Sequence, residues 1–193
     1  MRARMFYRHA IRPIIDRITA FAALVMLSPI MVIVALLIVL EDRGPVFFRQ
    51  KRNGARNVPF EIIKFRSMPV GTPHLPSADA RDLKPTRTGK VIRRLNIDEV
   101  PQFWNVLKGE MALIGPRPSL LSQKDVISLR TASGAHNLRP GITGLAQIRG
   151  YDRMSAEEKC AYDRIYSEGI GPILDLKILL GTIAYLIRSQ PVV

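Results

Sequence analysis

Asp98 and Glu99 are adjacent carboxylates, with Arg93 and Arg94 just upstream and Pro101 just downstream. Proline is tolerated in the first turn of a helix, where the opening amides have no intrahelical acceptor to lose, so Pro101 marks a helix start. With Asp98 as the N-cap, Pro101 is the third helical residue; Asp98 then caps the helix and Glu99 complements its dipole. The neighbouring arginines open a chemical reading beside this structural one. A carboxylate at a positive helix end among guanidiniums stays ionised, as a nucleophile must. A second carboxylate next to it suits Mg²⁺, which is commonly held by one or two carboxylates plus substrate phosphates. The same arrangement can also bind a diphosphate without reacting.

Other cations stand where a phosphate-bearing ligand would want them. Gly115-Pro116-Arg117-Pro118 sets an arginine between two prolines, so its backbone has little freedom to lose on binding. Arginine offers a planar fork matched to phosphate, although a turn with an exposed arginine reads the same way. In Arg139-Pro140-Gly141-Ile142-Thr143-Gly144, the glycines allow close backbone approach to a ligand or mark an ordinary loop. Lys64 and Arg66 add to a cationic rim, or simply keep an edge strand soluble. The formal charge of +13 calls for an anionic partner: phospholipid, nucleic acid or a phosphorylated small molecule. Cys160 is the single cysteine and His9, His74 and His136 are scattered, which excludes an intrachain disulfide and argues against a zinc site.

These residues must be positioned beside an apolar segment. Ile18 to Leu40 is 23 residues without a charge, long enough to cross a bilayer. Ser28-Pro29 sits near its middle, where proline removes a helical hydrogen bond and crowds the preceding turn. Both flanks are basic: five arginines against one aspartate before Ile18, and 24 basic against 15 acidic residues after Leu40. Lys and Arg near a membrane segment favour the cytoplasmic side, so a single span puts one flank on the wrong face. A re-entrant hairpin broken at Ser28-Pro29 satisfies both flanks, with Ser28 bonding a carbonyl freed by the kink; an ordinary kinked span and an uncleaved signal anchor are the alternatives. Residues 1–17, with Ile11, Ile14, Ile15 and Ile18 at helical spacing, read as an amphipathic lead-in lying in the interface.

The remaining chain, about 150 residues, has room for one domain. We divide the protein into a lead-in and membrane hairpin over 1–43 and a cytosolic domain over 44–193. Val46 to Gln50 and Phe60 to Arg66 read as strands of a β-hairpin broken at Asn53-Gly54. Pro, Gly, Ser, Asp and Thr from about 69 to 87 predict a mobile loop. Helical periodicity resumes at Lys90 and ends at Lys108-Gly109. An apolar helix over about 173–188 reads as a core element or as an interfacial one pressing the domain onto the bilayer. The expected class is membrane-associated α+β: a re-entrant helix-break-helix hairpin, interfacial amphipathic helices, and a small, mostly helical cytosolic domain with a short β-hairpin.

In order, the Ser-Pro pair, GPVFFRQKRNG, FEIIKFRSM, GKVIRRLNIDEVPQFWNVLKGEMALIGPRP and RPGITGLAQIRG resemble the bacterial sugar transferases of the monotopic phosphoglycosyl transferase type, over nearly the whole chain. With no further domain ahead of the hairpin, the chain resembles their small, minimal catalytic form. The resemblance implies transfer of sugar 1-phosphate from a UDP-sugar to undecaprenyl phosphate, with release of UMP, at the cytoplasmic face of the bacterial inner membrane. This is the first membrane step of glycoconjugate synthesis. It implies a phosphosugar-enzyme intermediate on Asp98, Mg²⁺ held with the help of Glu99 beside Asp98, and phosphate binding by Arg93, Lys64, Arg117 and Arg139, with Arg66 on the rim. It implies a re-entrant membrane helix at Ser28-Pro29, phospholipid contact, no nucleic acid partner, and room for a homodimer. Asn96 stands where members often carry Ser. Arg149-Gly150-Tyr151 stands where many have Asn-Gly-Arg, leaving open whether Arg149 or Arg153 completes the sugar-side contacts. Two other functions compete: a non-catalytic basic anchor for anionic lipid or nucleic acid, and a polyprenyl-phosphate glycosyltransferase that releases UDP.

Overall fold

The computed structural model describes residues 2–72, 83–151 and 154–187. The chain opens with α1 (Arg2–Phe6), passes through one wide π turn (Tyr7–Ile11) and runs on as α2 (Arg12–Glu41). This helix is long and apolar enough to cross a bilayer. The expected break into two helices is not found, because helical structure continues through Pro29. Proline has no N–H for the carbonyl four residues back, which is that of Val25. The Ser28 hydroxyl donates to that carbonyl at 2.8 Å, so the anticipated repair is made within a continuous helix.

Both ends of α2 are fastened to the same folded unit. At the N-terminal end, Arg12 Nε lies 3.4 Å from Asp175, its guanidinium also donates to the Ile114 carbonyl, and Asp16 accepts from the Leu113 amide at 3.3 Å. At the C-terminal end, Asp42 accepts from Arg66 at 2.9 Å, and the Glu41 carboxylate takes the Arg87 and Thr88 amides at 2.6 and 2.8 Å. Ala20 and Val34 are buried, but no residue from 21 to 33 is. The middle of the helix therefore presents Phe21, Val25, Met26, Ile30 and Ile33 outward. The lead-in has the two faces expected from sequence, and the structure adds where the charged one goes. Ile14, Ile15 and Ile18 are exposed while Arg12 and Asp16 are buried, because the charged face meets partners in the domain and the isoleucines are left outside.

The expected hairpin is present as β1 (Phe47–Asn53) and β2 (Pro59–Phe65), antiparallel with Phe47 opposite Phe65 and Asn53 opposite Pro59. Next come α3 (Arg87–Arg94) and α4 (Gln102–Lys108), which ends on Gly109 in the left-handed conformation. Of the loop expected over 69–87, residues 73–82 lie outside the described residues, and α3 begins at Arg87. A second pair, parallel and not foreseen, joins β3 (Ala112–Ile114) to β4 (Gly141–Thr143), with α5 (Lys124–Ala132) between them in sequence. Its glycines serve backbone contact: a Cβ on Gly115 would overlap the Arg139 carbonyl, and one on Gly141 would overlap the Gly115 amide. The chain closes with α6 (Ala156–Gly169), begun by a Ser155/Glu158 capping box, and α7 (Pro172–Ile187).

Helix α7 buries Asp175 and Ile178 and exposes Ile173, Leu176, Leu180 and Ile183. Asp175 accepts hydrogen bonds from Tyr7 and Tyr166, each at 2.8 Å, and faces Arg12, so one carboxylate ties the start of α2 to α6 and α7. Replacing Arg12 with Met leaves this buried carboxylate without its cation and the Ile114 carbonyl without a donor. The expected loss is about 3–5 kcal/mol, read from denaturant unfolding of the detergent-solubilised protein. An unchanged midpoint would mean that the clamp contributes nothing.

Candidate active site

The dyad lies on the connection between α3 and α4. Asn96 adopts the left-handed conformation with φ 55°, which asparagine tolerates better than most residues, and turns the chain into a 3₁₀ turn over Ile97–Glu99. Asp98 is therefore not the helix cap expected from sequence: it sits inside this turn, and Pro101 occupies the position before α4. Asn96 makes no side-chain cap and serves the helix entrance through its backbone alone.

Asn105 sets the distance between this turn and the hairpin. It is fully buried; its amide nitrogen donates to the Glu61 carbonyl and to Glu110, each at 2.7 Å, and its oxygen accepts from the Ile63 amide at 3.2 Å. One side chain thus satisfies the free edge of β2 and locks α4 against it. Arg130, buried in α5, pairs with Asp163 of α6 at 2.8 Å and donates to the Arg117 carbonyl at 2.9 Å, fixing the loop that carries Arg117. Neither Asn105 nor Arg130 stood out in the sequence.

These supports bring Lys64, Arg93 and Arg117 around the two carboxylates. Lys64 Nζ lies 2.6 Å and Arg117 Nη2 3.0 Å from the same Glu99 oxygen. Arg93 donates through Nε to Ser67 at 3.0 Å, and its charge reaches Asp98. Arg66 and Arg139 are engaged elsewhere. Arg66 is buried on Asp42 at the end of α2, while the Arg139 guanidinium lies near Gly109, a glycine that Arg17 also approaches. Arg149 is exposed, Arg153 lies outside the described residues, and Tyr151 is half-buried within reach of the Arg130 charge.

The two acids are driven in opposite directions. Although burial opposes its charge, Glu99 is held well below the usual carboxylate range by Arg117 and Lys64 together. Asp98, only 8% exposed, is pushed up to about 6: burial and the Glu99 charge outweigh Lys64, Arg93 and Arg117. The arginines, expected from sequence to keep Asp98 ionised, are opposed by burial and Glu99, so its pKa is raised rather than lowered. The outcome is a desolvated carboxylate that still ionises at neutral pH, next to a permanently charged, cation-bridged one. Among the described residues no three acidic, histidine or cysteine side chains gather, so a cation at this site would have Asp98 and Glu99 as its protein ligands.

A family model for bacterial sugar transferases matches residues 7–189. A UDP-glucose:undecaprenyl-phosphate glucose-1-phosphate transferase from Caulobacter vibrioides is 38% identical over 187 residues, covering 92% of this chain and 70% of that protein. The protein with the same description from Klebsiella pneumoniae is 38% identical over 177 residues, covering 87% of this chain and 38% of its own length. A UDP-N-acetylgalactosamine-undecaprenyl-phosphate N-acetylgalactosaminephosphotransferase from Aeromonas hydrophila is 42% identical over 175 residues, covering 87% of this chain and 41% of its own. The chain thus spans about two fifths of the Klebsiella and Aeromonas proteins.

The raised Asp98 group predicts a stability effect with a definite sign. Its folded pKa of about 6 lies above the ordinary value of 3.8, so between these pH values the folded protein holds the extra proton and loses stability as pH rises. Asp98→Asn removes that penalty and should stabilise the protein at pH 7.5 by about 1–3 kcal/mol, with the gain vanishing below about pH 4. Thermal unfolding across pH checks this; a variant less stable than wild type at pH 7.5 would contradict the assignment.

Proposed function

The chain belongs to the bacterial sugar transferase family, and from that membership together with the dyad's surroundings we propose that it transfers sugar 1-phosphate from a UDP-sugar to undecaprenyl phosphate, releasing UMP. The observation that carries this reading is the desolvated Asp98 carboxylate beside Glu99, with Lys64, Arg93 and Arg117 around them. Asp98 attacks the sugar-linked phosphorus; a carboxyl-phosphate bond forms, the bond to the UMP oxygen breaks, and UMP leaves. A phosphate oxygen of the lipid then attacks the same phosphorus, and the Asp98 carboxylate is regenerated. Dividing the transfer in this way replaces one difficult displacement with two easier ones.

The cations offset charge that spreads over the transferring group. Glu99 supports them by keeping Lys64 and Arg117 in place. The dyad's hard oxygen donors suit Mg²⁺, which takes one or two carboxylates with substrate phosphates, and Mg²⁺ bound there would neutralise phosphoryl charge.

A membrane-surface location follows from the same reading. Helix α2 is apolar and outward-facing in its middle yet tied to one domain at both ends, which supports a re-entrant path with both ends at the cytoplasmic face of the inner membrane. Its basic flanks agree with that side, and the outward isoleucines and leucines of α7 suit the lipid interface. The domain then meets a lipid phosphate at headgroup level and a nucleotide sugar from the cytosol. The product would be the first lipid-linked sugar of a bacterial glycoconjugate.

With undecaprenyl phosphate, Mg²⁺ and either UDP-glucose or UDP-N-acetylgalactosamine, the purified protein is expected to release UMP and no UDP. Asp98→Asn should lower turnover at least about 10³-fold. Release of UDP would point to direct sugar transfer, and substantial turnover by Asp98→Asn would remove Asp98 as the nucleophile. A protein that only binds anionic surfaces would give no nucleotide product and would be indifferent to this substitution.

A further inference from the structure

Arg52 is a further cation that the charge of Glu99 reaches. Arg52, on β1 opposite Phe60, forms a bridge with Leu120, which brings it against the loop that carries Arg117. One of its terminal nitrogens donates to the Pro118 carbonyl at a long 3.4 Å, while Nε is buried without a partner. Among the described residues no carboxylate lies within ion-pair distance of Arg52. Burial and the nearby Arg117 charge both disfavour the charged form of this guanidinium, lowering its pKa to about 10. A second orphan lies on the same loop: Ser119 is 1% exposed with its hydroxyl unpartnered, while its carbonyl accepts from Asn53, next to Arg52, at 2.9 Å. Buried polar atoms left unpaired in one place call for an explanation, and an anion that binds there supplies one. Two guanidiniums near enough to disfavour each other's charge are relieved by the oxygens of a phosphate.

The surroundings distinguish which phosphate. Arg93 belongs to α3, whose first amides are held by Glu41 at the end of the apolar helix. Arg52 and Arg117 come from other elements, β1 and the loop after β3, where Arg130 of α5 bonds the Arg117 carbonyl and Tyr151 interacts with Arg52 and Arg117. We infer that Arg52 and Arg117 form a seat for the phosphate that leaves with the nucleotide, separate from Arg93, which is left for the lipid phosphate. This rests on the phosphoglycosyl transfer proposed above.

The test uses UMP as the probe, with Arg52→Gln and Arg52→Lys beside the wild type. Without ligand, Arg52→Gln should melt no lower than wild type, since it removes a half-buried cation that has no counter-ion among the described residues. UMP should raise the melting temperature of the wild type, and that rise should be lost in Arg52→Gln and partly kept in Arg52→Lys. In turnover, Arg52→Gln should raise the KM for UDP-sugar and the inhibition constant of UMP about tenfold or more, leaving the KM for undecaprenyl phosphate within about twofold. A rise confined to the lipid KM would assign the seat to the acceptor, and a lower melting temperature with UMP binding intact would make Arg52 purely structural; either overturns the inference. No effect of UMP on the wild type would overturn it as well. If UMP binds as described but no nucleotide sugar is turned over, the transfer reading fails while the seat stands.

Discussion

Two consecutive carboxylates cannot both be buried as anions unless cations are brought to them, and here those cations come from separate parts of the chain. Lys64 comes from β2, Arg93 from α3 and Arg117 from the loop after β3. Glu99 takes two of them on one oxygen and is fixed in the charged form. Asp98, beside it, is left with the net disadvantage of burial and a like charge, so it keeps a readiness to bond that a salt-bridged carboxylate lacks. The rest of the fold can be understood as scaffolding for this asymmetry. Asn105 locks the helix after the dyad to the strand carrying Lys64, and Arg130 with Asp163 holds the loop carrying Arg117.

The apolar helix is joined to the same scaffold. Its last carboxylate, Glu41, caps the start of α3, so the element carrying Arg93 is positioned by the end of the segment that suits the bilayer. At the other end Arg12 and Asp16 turn inward to polar partners while the neighbouring isoleucines face out. In water this pattern leaves an unusually apolar surface; against lipid it is the low-energy arrangement, because charges are paired inside and hydrocarbon meets hydrocarbon. Pro29 is tolerated because Ser28 bonds the carbonyl that proline cannot serve.

What was legible in the sequence is what local rules govern. The hairpin around Asn53-Gly54, the helix stop at Gly109, the repair of Val25 by Ser28 and the family likeness all follow from short stretches. What was not legible depends on partners far away in the chain. Nothing near Asp16 announces that it bonds Leu113, and nothing near Arg66 announces Asp42, so the polar face of the lead-in proved to have partners inside the domain and a rim cation proved to be a clamp. Helix capping by Asp98 failed because Asn96 took the left-handed conformation and wound the next residues into a 3₁₀ turn, an outcome that spacing to Pro101 does not reveal. The glycines of the two proline-rich loops looked available to a ligand; they are occupied by each other's backbone. Arg52 escaped notice because what singles it out, a buried Nε with no partner among the described residues, is displayed only by the packed structure.

The most direct test of the central claim is to look for the bond itself. Wild-type protein should be mixed with its UDP-sugar in the absence of undecaprenyl phosphate, quenched in acid and examined by intact-protein and peptide mass spectrometry. The account predicts a mass increase equal to one phosphosugar, located on the peptide at Asp98 and discharged when the lipid phosphate is added. An adduct on a different residue, or full turnover under conditions where no adduct ever accumulates or can be trapped, would contradict it.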